Sequence, residues 1–256
     1  MTGPDEELPE EVTDLVVRPG TPEDVDAVHA VLLAAGSGPG HPPERRTPEE
    51  SRAWLAERVS GTGSGEHQEL WVAERDGRVL GFVTMADAWV PLLFVDPDHQ
   101  GEGVGHGLVE LVKALRPDGF GLRVHQDNTG ARAFYRRQGL VELESTDGSA
   151  YDDGWPDTRL AWPGHDPLAW WRSSIDDVDD ELAVLLARRT ALTAAVQDLK
   201  AAGGGDGGRR GRDPEREAEI VRRMSAHAPG LGTERLARVM DALITESLAA
   251  WEDRQR

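Results

Sequence analysis

"VDPDHQGEGVGHGL", residues 95–108, passes from the end of an apolar run through a glycine-rich turn into a helical pattern. Gln100-Gly101-Glu102-Gly103-Val104-Gly105 places consecutive backbone amides at a helix N-terminus, where glycines let an anion approach closely. A plain glycine turn between strand and helix accounts for the same letters, so neighbouring elements must decide. The turn follows the fourth β-rich run and not the first, which disfavours a dinucleotide-binding Rossmann unit. No Gly-Lys-Ser or Gly-Lys-Thr is present, so it is not a P-loop either.

Around this stretch, strand-like and helical periods alternate as far as about Pro163. LVVR (15–18) reads as a strand. Thr21-Pro22-Glu23-Asp24 reads as a helix entry: Thr21 can cap, Pro22 suits the first helical position and Asp24 can close a capping box. Thr47-Pro48-Glu49-Glu50 repeats the device, and the linker GTGSGEHQ (61–68) follows. Two β-rich runs then meet at Asp76-Gly77, a hairpin signal. WVPLLFV (89–95), a helix from about Gly103 to Leu115, GLRVHQ (121–126), a helix around Ala131–Arg137, LVELE (140–144) and TRLAW (158–162) complete this half. Interleaved strands and helices predict an α/β layer fold.

Beyond Gly164-His165-Asp166-Pro167 the strands stop. Asp166 can cap and Pro167 can open a helix reaching about Lys200, with Leu168, Ile175, Val178, Leu182, Leu185, Leu186, Leu192 and Val196 at helical spacing. AAGGGDGGRRGR (201–212) reads as a flexible loop, and helices of roughly 213–227 and 231–253 follow. The second half is therefore all-α. It holds few large apolar residues for a three-helix unit and is expected to need a partner.

Composition excludes several classes. A net charge of −19 over 256 residues argues against nucleic acid and gives no reason for attraction to an anionic membrane. No apolar run approaches the roughly 20 residues that span a bilayer. The opening MTGPDEEL lacks the basic and apolar regions of a secretory signal. The absence of cysteine excludes disulfides and thiolate chemistry, and the eight histidines show no ligand spacing, so no metal is expected. A cytoplasmic protein with a disordered acidic arm over residues 1–14 is the expectation.

With Asn128-Thr129-Gly130-Ala131 and Ala133-Phe134-Tyr135-Arg136-Arg137-Gln138-Gly139-Leu140 downstream of the glycine turn, residues 15–163 resemble the GNAT acetyltransferase family. The resemblance implies a central mixed sheet and acetyl-CoA as acyl donor. It gives Gln100, Gly101, Gly103, Val104 and Gly105 the pyrophosphate, Val95 the pantetheine arm, and Asn128 the cofactor or acceptor. Tyr135 becomes the acid that protonates the leaving thiolate, chemistry that suits a proton donor beside it. Many relatives carry an acidic residue before the phosphate loop to help deprotonate the amine. This chain has Val90-Pro91-Leu92-Leu93 there, which leaves Glu74, Asp87 and His125 as substitutes.

The second half carries a different pattern. Lys200 is one of only two lysines among 28 basic residues, which suggests that a compact ammonium was wanted at that helix end. Arg189 and Lys200 nearly eclipse on a helix, whereas Arg172 points about 100° away. Asp213, Arg216 and Glu217 share a face on the next helix, and Ser247 lies beside Trp251 on the last. Residues 166–256 resemble the AroQ-type chorismate mutase family through this set and through IDDVDDELAVLLARRTAL (175–192). The resemblance implies a homodimer in which Arg189, the partner subunit's Arg172 and Ser247 clamp carboxylates and Lys200 donates to the ether oxygen. Asp213 and Glu217 would hold the substrate hydroxyl, with Arg216 in support. The family usually places glutamine or glutamate four residues after Ser247; here Trp251 stands, whose indole can only donate.

The expected protein is bifunctional, with N-acetyl transfer to an amine and conversion of chorismate to prephenate. The alternatives are a helical half that only binds or senses a chorismate-like metabolite, or that only dimerises.

Overall fold

A computed structural model describes residues 14–38, 40, 41, 45–62, 66–148, 154–203, 212–228 and 230–256. The acidic arm up to residue 13, part of the 61–68 linker and most of the glycine-rich loop after Lys200 lie outside these residues. The chain divides into two compact units, Met1–Trp171 and Arg172–Arg256.

Among the described residues, the first unit contains seven strands and four α-helices: β1 (Val16–Pro19), α1 (Val25–Gly36), α2 (Pro48–Ser60), β2 (Glu69–Arg75), β3 (Arg78–Ala86), β4 (Trp89–Val95), α3 (Val104–Leu115), β5 (Phe120–His125), α4 (Thr129–Arg137), β6 (Val141–Thr146) and β7 (Asp157–Trp162). The sheet order is β1-β2-β3-β4-β5-β7-β6, antiparallel throughout except for the parallel pair β4–β5. It is the mixed sheet expected from the sequence.

Local chemistry sets the element ends. Asp24 accepts the Thr21 amide at 2.8 Å, but the chain makes a 3₁₀ turn over Pro22–Asp24 before α1 begins. At α2 both halves of the capping box form, with Thr47 N–H donating to Glu50 at 2.9 Å and Glu50 N–H to the Thr47 hydroxyl at 3.2 Å. Asp76 and Gly77 both take positive φ, 54° and 73°, as a tight two-residue hairpin requires.

Helices cover both sheet faces. On one, α1 and α2 bury Val25, Val28, Val31 and Leu55 against Leu70, Val72 and Phe82. On the other, α3 and α4 bury Val104, Leu108, Val109, Val112 and Tyr135 against Val83, Met85, Leu122 and Leu160. Alternation along the strands feeds the two cores separately.

Among the described residues, three helices follow: α5 (Pro167–Ala201), α6 (Pro214–His227) and α7 (Gly232–Arg254). The boundary between the units falls within the first turns of α5. Val221, Leu236 and Met240 form the small core where α6 meets α7. On α5, Ala194 and Gln197 are buried, while Ile175, Val178, Leu182, Leu185, Leu192, Val196 and Leu199 are exposed at 48–62%. Those exposed positions alternate in steps of three and four with Arg189 among them, the spacing of a seam meant for another helix. No helix among the described residues is long and apolar enough to cross a membrane.

Candidate functional site

In the first unit the site is a gap in the sheet. β4 and β5 pair only at Trp89↔Gly121 and Val90↔Leu122, although both strands continue to Val95 and His125. The cause is a bulge. Register places Trp89 opposite Ala86 and Leu92 opposite Thr84, so Val90 and Pro91 together face Met85. An extra residue bends its strand and re-aims it, and a bulge is one of the few places where a strand accepts proline.

The bulge also switches which groups face which neighbour. Asp96 N–H donates to the Leu80 carbonyl at 2.8 Å, and Phe82↔Phe94 and Thr84↔Leu92 belong to the same alternating set. Leu93 and Val95 therefore turn their N–H and C=O groups away from β3, into the gap. The Gln100 side-chain amide reaches the Val95 carbonyl at 3.5 Å.

The glycine turn lies at the open end of this gap. Gly101 and Gly103 take φ of 84° and 89°, and a Cβ at either would meet nothing within 4 Å, so the space above the loop is open. Gly105 is needed for a different reason: its Cβ would sit 3.3 Å from the Phe134 ring and 3.6 Å from Val95 Cγ2. Val104 is buried beneath the first turn of α3. Glu102 ties the loop down, accepting from Arg75 at 2.8 Å, with His99 Nδ1 at 3.3 Å. Arg75 and then His99 hold its carboxyl below the usual range. Amides converging at a helix start, beside open strand backbone, fit a pyrophosphate with an amide-bearing arm.

Tyr135 is buried on α4 with its ring against Phe134. Burial pushes its phenol well above the ordinary value, so it keeps its proton. Asn128 caps α4, accepting the Ala131 amide at 3.0 Å. Its Nδ2 donates to His41 Nε2 at 3.1 Å. His41 comes from the α1–α2 connection, nearly ninety residues away in sequence, and no spacing signal marks it. Desolvation and then the neighbouring His125 push its imidazole below the ordinary value. Of the substitute bases, Glu74 is occupied by Arg18 at 2.8 Å, and Asp87 lies in the β3–β4 turn at the far end of the sheet. His125 ends β5 at the open end.

In the second unit, Arg189 and Ser247 meet directly. Arg189 Nη1 donates to Ser247 Oγ at 2.9 Å and to the Leu243 carbonyl at 3.2 Å, and Ser247 is buried. Lys200 is half-buried in the last turn of α5, with no ion pair to a described residue. Arg172 is exposed, and its seventeen-residue separation along α5 puts it about 25 Å from Arg189, too far for one site within a protomer. Asp213 spends its carboxylate on the α6 cap, accepting the Arg216 amide at 3.1 Å, while Arg216 is itself exposed. Glu217 is gripped by Arg212, whose Nε donates at 2.9 Å and whose guanidinium also reaches Asp241. Trp251 directs its indole N–H to Asp198 at 2.7 Å. Arg212, Asp198 and Asp241 were not singled out from sequence, because each gains meaning only from a partner on another element. Among the described residues no cluster of metal-binding side chains exists.

Comparison with known proteins covers both units. The GNAT acetyltransferase domain family matches residues 66–142, and the chorismate mutase type II family matches residues 171–251. The peptidyl-lysine N-acetyltransferase YjaB of Salmonella typhimurium is 38% identical over 95 residues, covering 37% of this chain and 65% of that protein. The mycothiol acetyltransferase of Clavibacter sepedonicus is 34% identical over 120 residues, covering 44% of this chain and 38% of its own length. The solution structure of apo-form YjaB from Escherichia coli aligns over 59% of this chain and 99% of that one, at 22% identity and a TM-score of 0.49. This chain thus carries a GNAT acetyltransferase domain followed by a chorismate mutase type II domain.

Proposed function

We propose that the chain has two activities: acetyl transfer from acetyl-CoA to an amine by residues 15–163, and rearrangement of chorismate to prephenate by residues 166–256. The carrying observation for the first is the β4–β5 gap with its open glycine loop. Backbone amides from Gln100 through Gly105 receive the pyrophosphate, and Leu93 and Val95 pair with the amide-bearing arm. Asn128 stands at the junction with the acceptor. The amine nitrogen forms its bond to the acetyl carbon as the carbon–sulfur bond breaks; Tyr135, kept protonated by burial, gives its proton to the thiolate, the nitrogen gives up its surplus proton to water, and Tyr135 is reprotonated from solvent. The relatives named for peptidyl-lysine support a lysine-type amine as acceptor.

In the second unit, Arg189 with Ser247 supplies a preformed anion clamp. Lys200 lies on the same face and would donate to the ether oxygen as charge develops there. Asp213 and Glu217 would serve the substrate hydroxyl with Arg216 in support, and Arg212 fixes Glu217 in place. Trp251 lines the site and is anchored by Asp198. Arg172 would be supplied by a second copy, and the exposed seam on α5 supports a homodimer. We place the protein in the cytoplasm, acting on small molecules of aromatic amino-acid biosynthesis and on an amine, with no metal.

The experiment has two arms. Loss of chorismate absorbance should fall about 100-fold or more in Lys200→Ala. Thiol release from acetyl-CoA with lysine peptides should fall sharply in Tyr135→Phe. Absence of chorismate turnover by the wild-type chain would remove the mutase reading and leave the transferase untouched.

A further inference from the structure

The connection between α1 and α2 is pinned to the site by a residue with no side chain. Gly40 takes φ of 82°, and a Cβ there would fall 2.7 Å from Asn128 Cα and 2.9 Å from the Asn128 nitrogen and the Asp127 carbonyl. The next residue, His41, is thereby laid across the mouth of the gap. Its ring centroid is 5.7 Å from Phe94 on β4 and 6.4 Å from His125 on β5, and its Nε2 meets Asn128 at the start of α4.

The hydrogen bonds fix the state of this imidazole. Asn128 Oδ1 accepts from the Ala131 amide, so its other end, Nδ2, must be the one that faces His41. An amide NH₂ only donates, so His41 Nε2 accepts and the ring proton sits on Nδ1. A neutral imidazole here presents no positive charge to an incoming amine, and its one remaining polar function is the Nδ1–H donor. Of the groups facing the ring, His125 is the ionisable one, whereas Phe94 and Asn128 carry no ionisable group.

We propose that His41 is the positioning residue for the acceptor: it ties the α1–α2 connection to Asn128 across the β4–β5 gap and offers Nδ1–H to the acceptor molecule. The inference rests on the transferase reading of this unit. It takes no proton in the reaction, since its accepting nitrogen is already engaged. Protonation would set Nε2–H against the Asn128 donor and release the connection, so acceptor binding weakens in acid while acetyl-CoA binding does not.

Nitrogen NMR of the histidines in the full chain reads the tautomer directly, without substrate. Steady-state transfer to a lysine-bearing peptide and calorimetric binding of acetyl-CoA supply the second readout. His41 should show the Nδ1–H form at pH 7.5. His41→Ala should raise peptide KM about tenfold, the worth of one neutral hydrogen bond, with kcat less affected. In His41→Gln a side-chain oxygen can still accept from Asn128 and cannot titrate; it should recover much of the loss and flatten the rise of peptide KM in acid. All variants should bind acetyl-CoA like the wild type. An Nε2–H tautomer overturns the proposal whatever the acceptor proves to be, and so does an unchanged peptide KM in His41→Ala. Equal damage in His41→Gln and His41→Ala overturns it too, in favour of proton transfer. Wild-type protein that binds no acetyl-CoA would instead overturn the transferase reading, and this proposal with it.

Discussion

The two units solve the burial problem differently. The sheet unit closes a core on each face with its own helices, and Phe82, Leu55, Val28 and Leu108 are completely inaccessible. The helical unit buries three large apolar residues in its core cluster and leaves more than twice as many exposed along α5. The sheet unit is self-sufficient, while the helical unit is legible as one half of something. Its candidate site shows the same division: Arg189 and Ser247 are assembled within the chain, while Arg172 is stranded along the exposed part of α5.

The sharpest way to break this comparison is to charge the seam. Val178→Asp with Leu185→Asp removes four apolar side chains from the proposed dimer interface, a cost on the order of 6 kcal/mol or more. Sedimentation should then show monomer, with the sheet unit unchanged; a wild-type chain that is itself monomeric would show that the seam is not an interface.

The converse test removes one ring from the self-sufficient core. Phe82→Ala should cost about 3–5 kcal/mol, read as an earlier denaturant transition of the sheet unit alone. If the helical transition moves equally, the two units do not unfold independently.

The smallest effect concerns acid. The Arg18 guanidinium holds the Asp24 carboxyl down to about 2, and Glu74 completes the cluster. A depressed carboxyl contributes stability that is complete above its unfolded value near 3.8 and is lost as pH falls through the folded value. The sheet unit should therefore weaken between about pH 4 and pH 2, and Arg18→Met should flatten that part of the profile. The exposed seam contains no such pair.

Much of the fold was readable because its signals are local. The Thr47–Glu50 capping box, the Asp76-Gly77 turn and the glycine turn at 101–105 each sit within a few residues of the element they begin or end. The site was only partly readable for the opposite reason. Asn128 and Tyr135 carry a motif, but His41 becomes significant only when a loop is folded onto Asn128. Trp251 was visible as a departure, yet its bond to Asp198 joins residues 53 apart in sequence. The 3₁₀ start of α1 likewise depends on how Arg18 pulls Asp24 toward the sheet.

The bulge in β4 has a consequence best expressed as counting. Before it, even-numbered residues turn their backbone toward β5, as the bond from Gly121 N–H to the Ala88 carbonyl shows; after it, odd-numbered residues do. The strand is out of step with itself by one. A chain shortened by one residue at Val90–Pro91 would bring the even set back into step and let β4 and β5 continue their ladder toward His125. The same deletion would leave Leu93 opposite Val83 and Phe94 opposite Phe82, so each side chain would keep its own core. The opening in the sheet is thus written as a single surplus residue, and the two faces are balanced around it.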